Sequence, residues 1–92
     1  MLRLNGRAVE GGLAPFDLSD RGLTLGDGLF ETIAVFGGRP ALLRAHLDRL
    51  CAAAAEIRLP VDRALCEAEI LCLAAEEVGD CIVRLTVTRG GG

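Results

Sequence analysis

Two stretches of the chain have the residue pattern of β-strands. Residues 29–36 are rich in β-branched and aromatic side chains, and in residues 81–88 apolar residues alternate with a period of two. Because neighbouring side chains on a strand point to opposite faces, each strand has two distinct faces. One face of the first strand carries Phe30, Thr32, Ala34 and Phe36. One face of the second is polar except for Ile82 and carries Arg84, Thr86 and Thr88.

Between these strands, the spacing of apolar residues predicts two helices. The first precedes Pro60, and its apolar residues recur at intervals of three and four: Leu43, Leu47, Leu50, Ala54 and Ile57. The second runs over residues 61–78, with Gly79 in the position of a C-cap. Its predicted apolar face is broader and consists of Val61, Ala64, Leu65, Ala68, Leu71, Cys72, Ala75 and Val78.

The N-terminal residues predict a short hairpin. Leu2 and Leu4 flank Arg3, Asn5-Gly6 favours a tight turn, and Ala8 and Val9 follow on the return strand. Residues 11–28 indicate a turn-rich connector, and residues 37–40 a turn. The resulting order β-β-β-α-α-β predicts an α+β domain, with two helices on one face of a mainly antiparallel sheet. The other face is then left for water, a second domain or a ligand.

Composition narrows the class of protein. A length of 92 residues fits one domain, and an apolar content of 51% argues against intrinsic disorder. A net charge of −3 gives no electrostatic basis for nucleic-acid binding. Apolar runs of membrane-helix or signal-peptide length are missing from the sequence. These features predict a soluble cytoplasmic protein that binds neither nucleic acid nor membranes.

The cysteines and basic residues limit the possible chemistry. The four cysteines form no C-x₂-C pair and His46 is the single histidine, so no metal site is expected, and the cysteines are predicted to fill the core. All ten basic residues are arginines, so the chain has no lysine for a Schiff base and no catalytic residue of that type. Residues 22–28 lack a phosphate-loop motif and favour a tight turn.

Two arginines are candidate anion ligands, because a guanidinium binds phosphate or carboxylate through two contacts. Arg49 lies beside the apolar face of the first helix, one turn after His46, and Arg84 lies among the threonines of the last strand. Position alone is equally compatible with Arg49 as a solvated helix residue and with Arg84 as a surface residue that pairs across strands.

Four motifs occur in family-like order: Asn5-Gly6, the segment 20–33 (DRGLTLGDGLFETI), the segment 46–50 (HLDRL) and the segment 84–90 (RLTVTRG). Together they resemble the N-terminal domain of the class IV, fold-type IV pyridoxal-phosphate enzymes. That family includes branched-chain aminotransferases, D-amino acid transaminases and aminodeoxychorismate lyases. The resemblance spans residues 1–92, and it implies that the second domain, which carries the Schiff-base lysine, lies outside this chain.

The resemblance also implies roles for individual residues. Arg49 matches the arginine that binds the cofactor phosphate, so pyridoxal 5′-phosphate is the expected cofactor. Phe30 matches an aromatic residue of the substrate pocket, and Thr32 and Ala34 share its strand face. Arg84 matches a strand position that is often basic. The resemblance further implies a homodimer in which a second domain and a neighbouring subunit cover the open sheet face.

Within the family, the residues around the Phe-Glu pair favour a lyase. Branched-chain aminotransferases usually have glycine where this chain has Thr32, and D-amino acid transaminases favour tyrosine at Phe30. The first expectation is therefore an aminodeoxychorismate lyase, which eliminates pyruvate to give 4-aminobenzoate for folate biosynthesis. An amino acid aminotransferase is the alternative. A free-standing, non-catalytic α+β binding module also remains open, and the missing lysine supports it.

Overall fold

The computed structural model describes residues 2–11, 13 and 16–90. In chain order its elements are β1 (Leu2–Leu4), β2 (Arg7–Val9), α1 (Arg21–Leu25), β3 (Gly28–Phe36), β4 (Arg39–Pro40), α2 (Leu43–Glu56), α3 (Arg63–Glu76) and β5 (Cys81–Thr88).

The strands form two antiparallel sheets. β1 and β2 pair as an isolated hairpin, while β3 lies at the centre of a three-stranded sheet in the order β4-β3-β5. The long pairing of β3 with β5 runs from Gly28 opposite Thr88 to Val35 opposite Cys81. The predicted α+β class, with its antiparallel strands and its two long helices, is confirmed.

Two short elements were not predicted. The connector 11–28 contains the five-residue helix α1, and the expected turn at residues 37–40 is a hairpin whose short strand β4 pairs with the end of β3. Both were missed for the same reason: five and two residues are too few for a hydrophobic period to show. The connector also includes positions 12, 14 and 15, which lie outside the described residues.

The core lies between the sheet and the two long helices. Ile33, Val35 and Val83 from the sheet are buried, and α2 contributes Leu47 and Leu50 to the same cluster. The predicted buried face of α2 is confirmed over Leu47, Leu50 and Ala54. It is wrong at Ile57, which follows the last helical residue and is 42% exposed.

The predicted face of α3 is wrong. The helix buries Cys66, Ile70 and Ala74, whereas several predicted core residues are exposed: Leu65, Ala68, Leu71 and Ala75. The sequence of α3 is apolar on almost every side, so periodicity alone did not define which side faces the sheet. The helix also ends at Glu76, so Gly79 is not its C-cap and Val78 is fully exposed.

The segment that begins with Asp20 fastens α1 to the end of β5. The Asp20 carboxylate is buried and accepts hydrogen bonds from the Gly22 amide at 2.7 Å and the Thr88 hydroxyl at 2.9 Å. A Cβ atom on Gly22 would lie 2.2 Å from Cγ2 of Thr88, so this close approach requires glycine. The tight turn predicted for residues 22–28 is wrong over residues 22–25, which belong to α1; the helix ends at Gly26, whose φ is 65°.

The N-terminal hairpin docks on α3. Asn5 and Gly6 both have positive φ angles, 51° and 81°, as the predicted two-residue turn requires. Arg3 forms an ion pair with Glu69 and donates a further hydrogen bond to the Gly6 carbonyl oxygen at 3.1 Å. The hairpin is therefore held by side chains and not by pairing with the main sheet.

Candidate functional site

Four of the five predicted site residues lie on the open face of the sheet. Phe30 is 58% exposed, Thr32 and Arg84 are exposed, and Ala34 is half-buried. Thr32 is directly opposite Arg84 in the β3–β5 register. The guanidinium carbon of Arg84 lies 4.4 Å from the centre of the Phe30 ring, a cation–π contact. The structure therefore brings these residues together, as the strand alternation predicted.

Arg49 belongs to a different cluster, on the side of β3 that faces the helices. Its Nη2 lies 2.7 Å from Oε1 of Glu31, and its Nε lies 3.1 Å from Oε2 of the same carboxylate. Nδ1 of His46 is 2.7 Å from that Oε1. Glu31 is buried, whereas the Arg49 side chain is 69% exposed. A buried carboxylate therefore holds an arginine that faces solvent.

Electrostatics follow from this pairing. The Arg49 guanidinium holds the pKa of Glu31 below its usual range, and the hydrogen bond from His46 adds to that effect although burial opposes it. In turn Glu31 raises the pKa of Arg49. The carboxylate is therefore ionised at neutral pH, and the arginine remains charged.

Sequence reasoning did not assign Glu31 a role, although two signals pointed to it. Alternation along β3 places Glu31 on the same face as Ile33 and Val35, where a charged residue is out of place. His46 and Arg49 are three residues apart on α2, so both reach one side of the helix. A buried acid opposite two basic side chains was predictable from those spacings.

All four cysteines are free thiols; Cys66 is buried, and Cys51, Cys72 and Cys81 are half-buried. Burial raises the pKa of the Cys66 thiol. Within residues 2–11, 13 and 16–90, the structure contains no group of three or more His, Cys, Asp or Glu side chains that could hold a metal ion. None of the helices within those ranges combines the length and apolar character needed to span a bilayer.

A cleft of about 810 Å³ lies between the hairpin, α3 and β5. Its walls include Leu4, Leu65 and Leu85, together with Arg84. Arg49 does not line this cleft, so the anion-binding candidate and the cleft are separate places on the described part of the molecule.

Comparison with known proteins identifies the family. The model of the aminotransferase class IV family matches residues 28–92. The chain belongs to the aminotransferase class IV family. Its segments that carry the Glu31 cluster and the open-face residues all lie within the matched range.

Individual relatives of this class IV chain include both aminotransferases and a lyase. D-alanine aminotransferase of Listeria innocua is 38% identical over 95% of the chain. The crystal structure of 4-amino-4-deoxychorismate lyase from Pseudomonas aeruginosa has a TM-score of 0.82 and 43% identity over 96% of the chain. A hypothetical aminotransferase from Mycobacterium tuberculosis in its pyridoxal-phosphate-bound form has a TM-score of 0.83 and 28% identity over 91% of the chain.

Class IV aminotransferases depend on pyridoxal phosphate, which agrees with the predicted cofactor. The present chain spans 31% of the length of each of the three relatives named above. The roles predicted for Arg49, Phe30, Thr32, Ala34 and Arg84 are not tested by these similarities, and they remain predictions.

Proposed function

We propose that this chain is the N-terminal part of a pyridoxal-phosphate-dependent lyase that resembles 4-amino-4-deoxychorismate lyase. One observation carries the cofactor assignment. The Arg49 guanidinium is held from one side by the buried Glu31 carboxylate while most of the side chain stays exposed. An arginine restrained in this way offers its remaining N–H groups to an anion, and a phosphate monoester fits that donor set.

Pyridoxal phosphate supplies an electron sink for the reacting carbon when it is bound. In this proposal Arg49 binds the cofactor phosphate. Phe30, Thr32 and Ala34 form one wall of the substrate pocket, and Arg84 presents a positive charge there to a substrate carboxylate. The lysine and the second domain are contributed by parts of the protein beyond these 92 residues. The chain by itself is expected to be inactive.

An aminotransferase is the second candidate. The 38% identity to a D-alanine aminotransferase supports it, as does membership of the family. The two candidates differ in product: a lyase releases pyruvate and 4-aminobenzoate from aminodeoxychorismate, whereas an aminotransferase moves an amino group from an amino acid to a keto acid. Assays of the full-length protein with aminodeoxychorismate, D-alanine and branched-chain amino acids distinguish them. Inactivity toward all three would favour the non-catalytic binding module.

Replacing Arg49 tests the cofactor assignment. In the full-length protein, Arg49→Ala should raise the dissociation constant of pyridoxal phosphate about 10–150-fold, because a hydrogen bond to a charged group contributes roughly 1.5–3 kcal/mol. Arg44 is an exposed arginine on the same helix, so Arg44→Ala is the matched control and should change affinity less than about twofold. An unchanged dissociation constant for Arg49→Ala would contradict the assignment.

We also propose that the working enzyme is a cytoplasmic homodimer. Phe30, Phe36 and Ile82 expose more than half of their surface on the open sheet face, at 58%, 59% and 72%. An exposed apolar patch of this kind favours burial against other protein. Sedimentation of the full-length protein should give twice the chain mass, and the isolated 92-residue chain should self-associate. A monomeric full-length protein beside a monodisperse monomeric fragment would refute the proposal.

A further inference from the structure

We propose that Glu31 is a positioning residue, which orients the Arg49 guanidinium for the cofactor phosphate with the help of His46. This inference rests on the proposed function, since it takes Arg49 as the phosphate ligand. The three side chains come from two elements, with Glu31 on β3 and the other two on α2. Their relative placement therefore depends on the packing of the helix against the sheet.

The contacts define which edge of the guanidinium is used. Oε1 of Glu31 accepts from Nη2 of Arg49 at 2.7 Å and from Nε at 3.3 Å, and Oε2 accepts from Nε at 3.1 Å. A guanidinium has five N–H groups in a rigid plane, so holding the Nε–Nη2 edge fixes the direction of the other edge. That remaining edge includes Nη1 and the second hydrogen of Nη2. The 69% exposure of the side chain leaves it room to receive an anion.

The burial of Glu31 argues for more than a structural contact. A carboxylate on the core-facing side of a strand loses its hydration, and an apolar residue of similar size would usually stabilise the fold as well or better. By contrast, the ion pair between Arg63 and Asp48 is a surface pair, in which the Asp48 side chain is 61% exposed. Glu31 therefore carries a desolvation penalty that a surface pair avoids, and orientation of Arg49 accounts for it.

His46 completes the arrangement by restraining the carboxylate. Its Nδ1 lies 2.7 Å from Oε1 of Glu31, and its side chain is 18% exposed. With contacts from two side chains of α2, the Glu31 carboxylate has little freedom to rotate. A fixed carboxylate loses less conformational entropy when it holds Arg49, and Arg49 in turn loses less when it binds an anion.

Charge and position predict opposite effects, which makes the inference testable. If Glu31 acted only through its charge, it would weaken phosphate binding by neutralising Arg49, so Glu31→Gln would strengthen binding. If Glu31 acts by positioning, Glu31→Gln weakens binding, because the amide offers one acceptor oxygen in place of two. Glu31→Asp keeps the charge but withdraws it by one methylene, so positioning predicts weaker binding there as well, whereas charge alone predicts little change.

The experiment measures the dissociation constants of pyridoxal phosphate and of pyridoxal, which lacks the phosphate, on the full-length apoenzyme. The constant for pyridoxal divided by the constant for pyridoxal phosphate, here called the phosphate ratio, isolates the phosphate contact from the rest of the site. We expect the phosphate ratio to fall about tenfold in Glu31→Gln and Glu31→Asp, a loss comparable to one weakened charged hydrogen bond. The affinity for pyridoxal itself should stay within about twofold in both variants.

Glu69→Gln is the matched control, because it removes the charge of another partly buried glutamate that pairs with an arginine, Arg3, away from the Arg49 cluster. Its phosphate ratio should equal that of the unmodified enzyme. An unchanged or raised ratio in a folded Glu31 variant would overturn the positioning role. If Glu31→Gln does not fold, Glu31→Asp and His46→Asn carry the same test, the latter with a smaller loss of about two- to threefold. Arg49→Ala tests the phosphate-binding role of Arg49 separately from the positioning role of Glu31, because an unchanged phosphate ratio in that variant contradicts the proposed function itself.

Discussion

The two faces of β3 depart in opposite ways from the usual rule that apolar residues are buried and charged residues are exposed. On the side facing the helices, Ile33 and Val35 are fully buried, yet the next residue on that face is the charged Glu31, which is 7% exposed. On the other side, Phe30 and Phe36 are 58% and 59% exposed. This strand therefore has a charge inside and aromatic rings outside.

This inversion separates the residues that form the fold from those available for function. The core is formed by Ile33, Val35 and Val83 of the sheet together with the helix residues packed on them. Compared with an apolar residue inside or a polar residue outside, neither a buried carboxylate nor an exposed aromatic ring adds stability, because the first loses hydration and the second keeps apolar surface in water. Both departures occur at Phe30 and Glu31, adjacent positions on the strand, and both fit contacts with a ligand or another part of the protein.

The largest expected effect is a difference in unfolding free energy between two adjacent residues that lie on opposite faces of β3. Ile33→Ala removes a fully buried side chain and should lower the free energy of unfolding by about 2–5 kcal/mol. Thr32→Ala, one residue earlier on the open face, should lower it by no more than about 0.5 kcal/mol. Urea unfolding of the full-length protein measures both. Equal losses would mean that the two faces are not distinct in stability.

An intermediate effect comes from Glu31 and depends on pH. Because the folded protein lowers the pKa of Glu31, the ion pair contributes its full stability above the usual glutamate value of about 4.5. That contribution is lost as the pH falls through the folded-state pKa. At neutral pH, Glu31→Gln should lower the free energy of unfolding by about 1–3 kcal/mol.

The difference between Glu31→Gln and the unmodified protein should then shrink as the solution is acidified below the usual value, because both side chains become neutral. Unfolding curves at a series of pH values from neutral to acid give this profile. A difference that stays constant with pH would show that the charge of Glu31 does not stabilise the fold.

How far the sequence predicts this structure depends on the strength of each pattern. The strand over residues 29–36 was predictable from its β-branched and aromatic residues. The strand over residues 81–88 and the buried face of α2 were predictable because their alternation and spacing are regular over seven or more residues. The same alternation is sufficient to place Phe30, Thr32 and Ala34 on one strand face and Arg84 on the polar face of the other strand. Position on α2 made Arg49 one of two candidate anion ligands, and the motifs implied that it binds the cofactor phosphate.

Other features were beyond sequence reasoning for physical reasons. The buried side of α3 could not be assigned, because Leu65 and Leu71 are as apolar as Cys66 and Ile70, and only the shape of the sheet selects between them. The spacings point to a buried acid near His46 and Arg49, but the contact geometry of Glu31 with Arg49 depends on how α2 crosses β3, a tertiary property. Asp20 is one more aspartate in a turn-rich connector until the fold brings it next to Thr88.

The smallest expected effect concerns Arg84 and tests whether the open face contacts the substrate and not the cofactor. Its guanidinium stacks 4.4 Å from the centre of the Phe30 ring, and such contacts at exposed sites contribute about 0.5–1 kcal/mol. Arg84→Lys keeps the positive charge but loses the planar stacking group and the forked donors. The free energy of unfolding should therefore change by no more than about 0.5 kcal/mol.

Because a lysine makes a single point contact with a carboxylate, the KM for a carboxylate substrate should rise about two- to fivefold in Arg84→Lys. Affinity for pyridoxal phosphate should not change, since Arg49 and Arg84 belong to opposite faces of the sheet. Steady-state kinetics and cofactor titration on the same variant separate these effects. A weaker affinity for pyridoxal phosphate with an unchanged KM would contradict the assignment of substrate to the open face and cofactor to the Arg49 side.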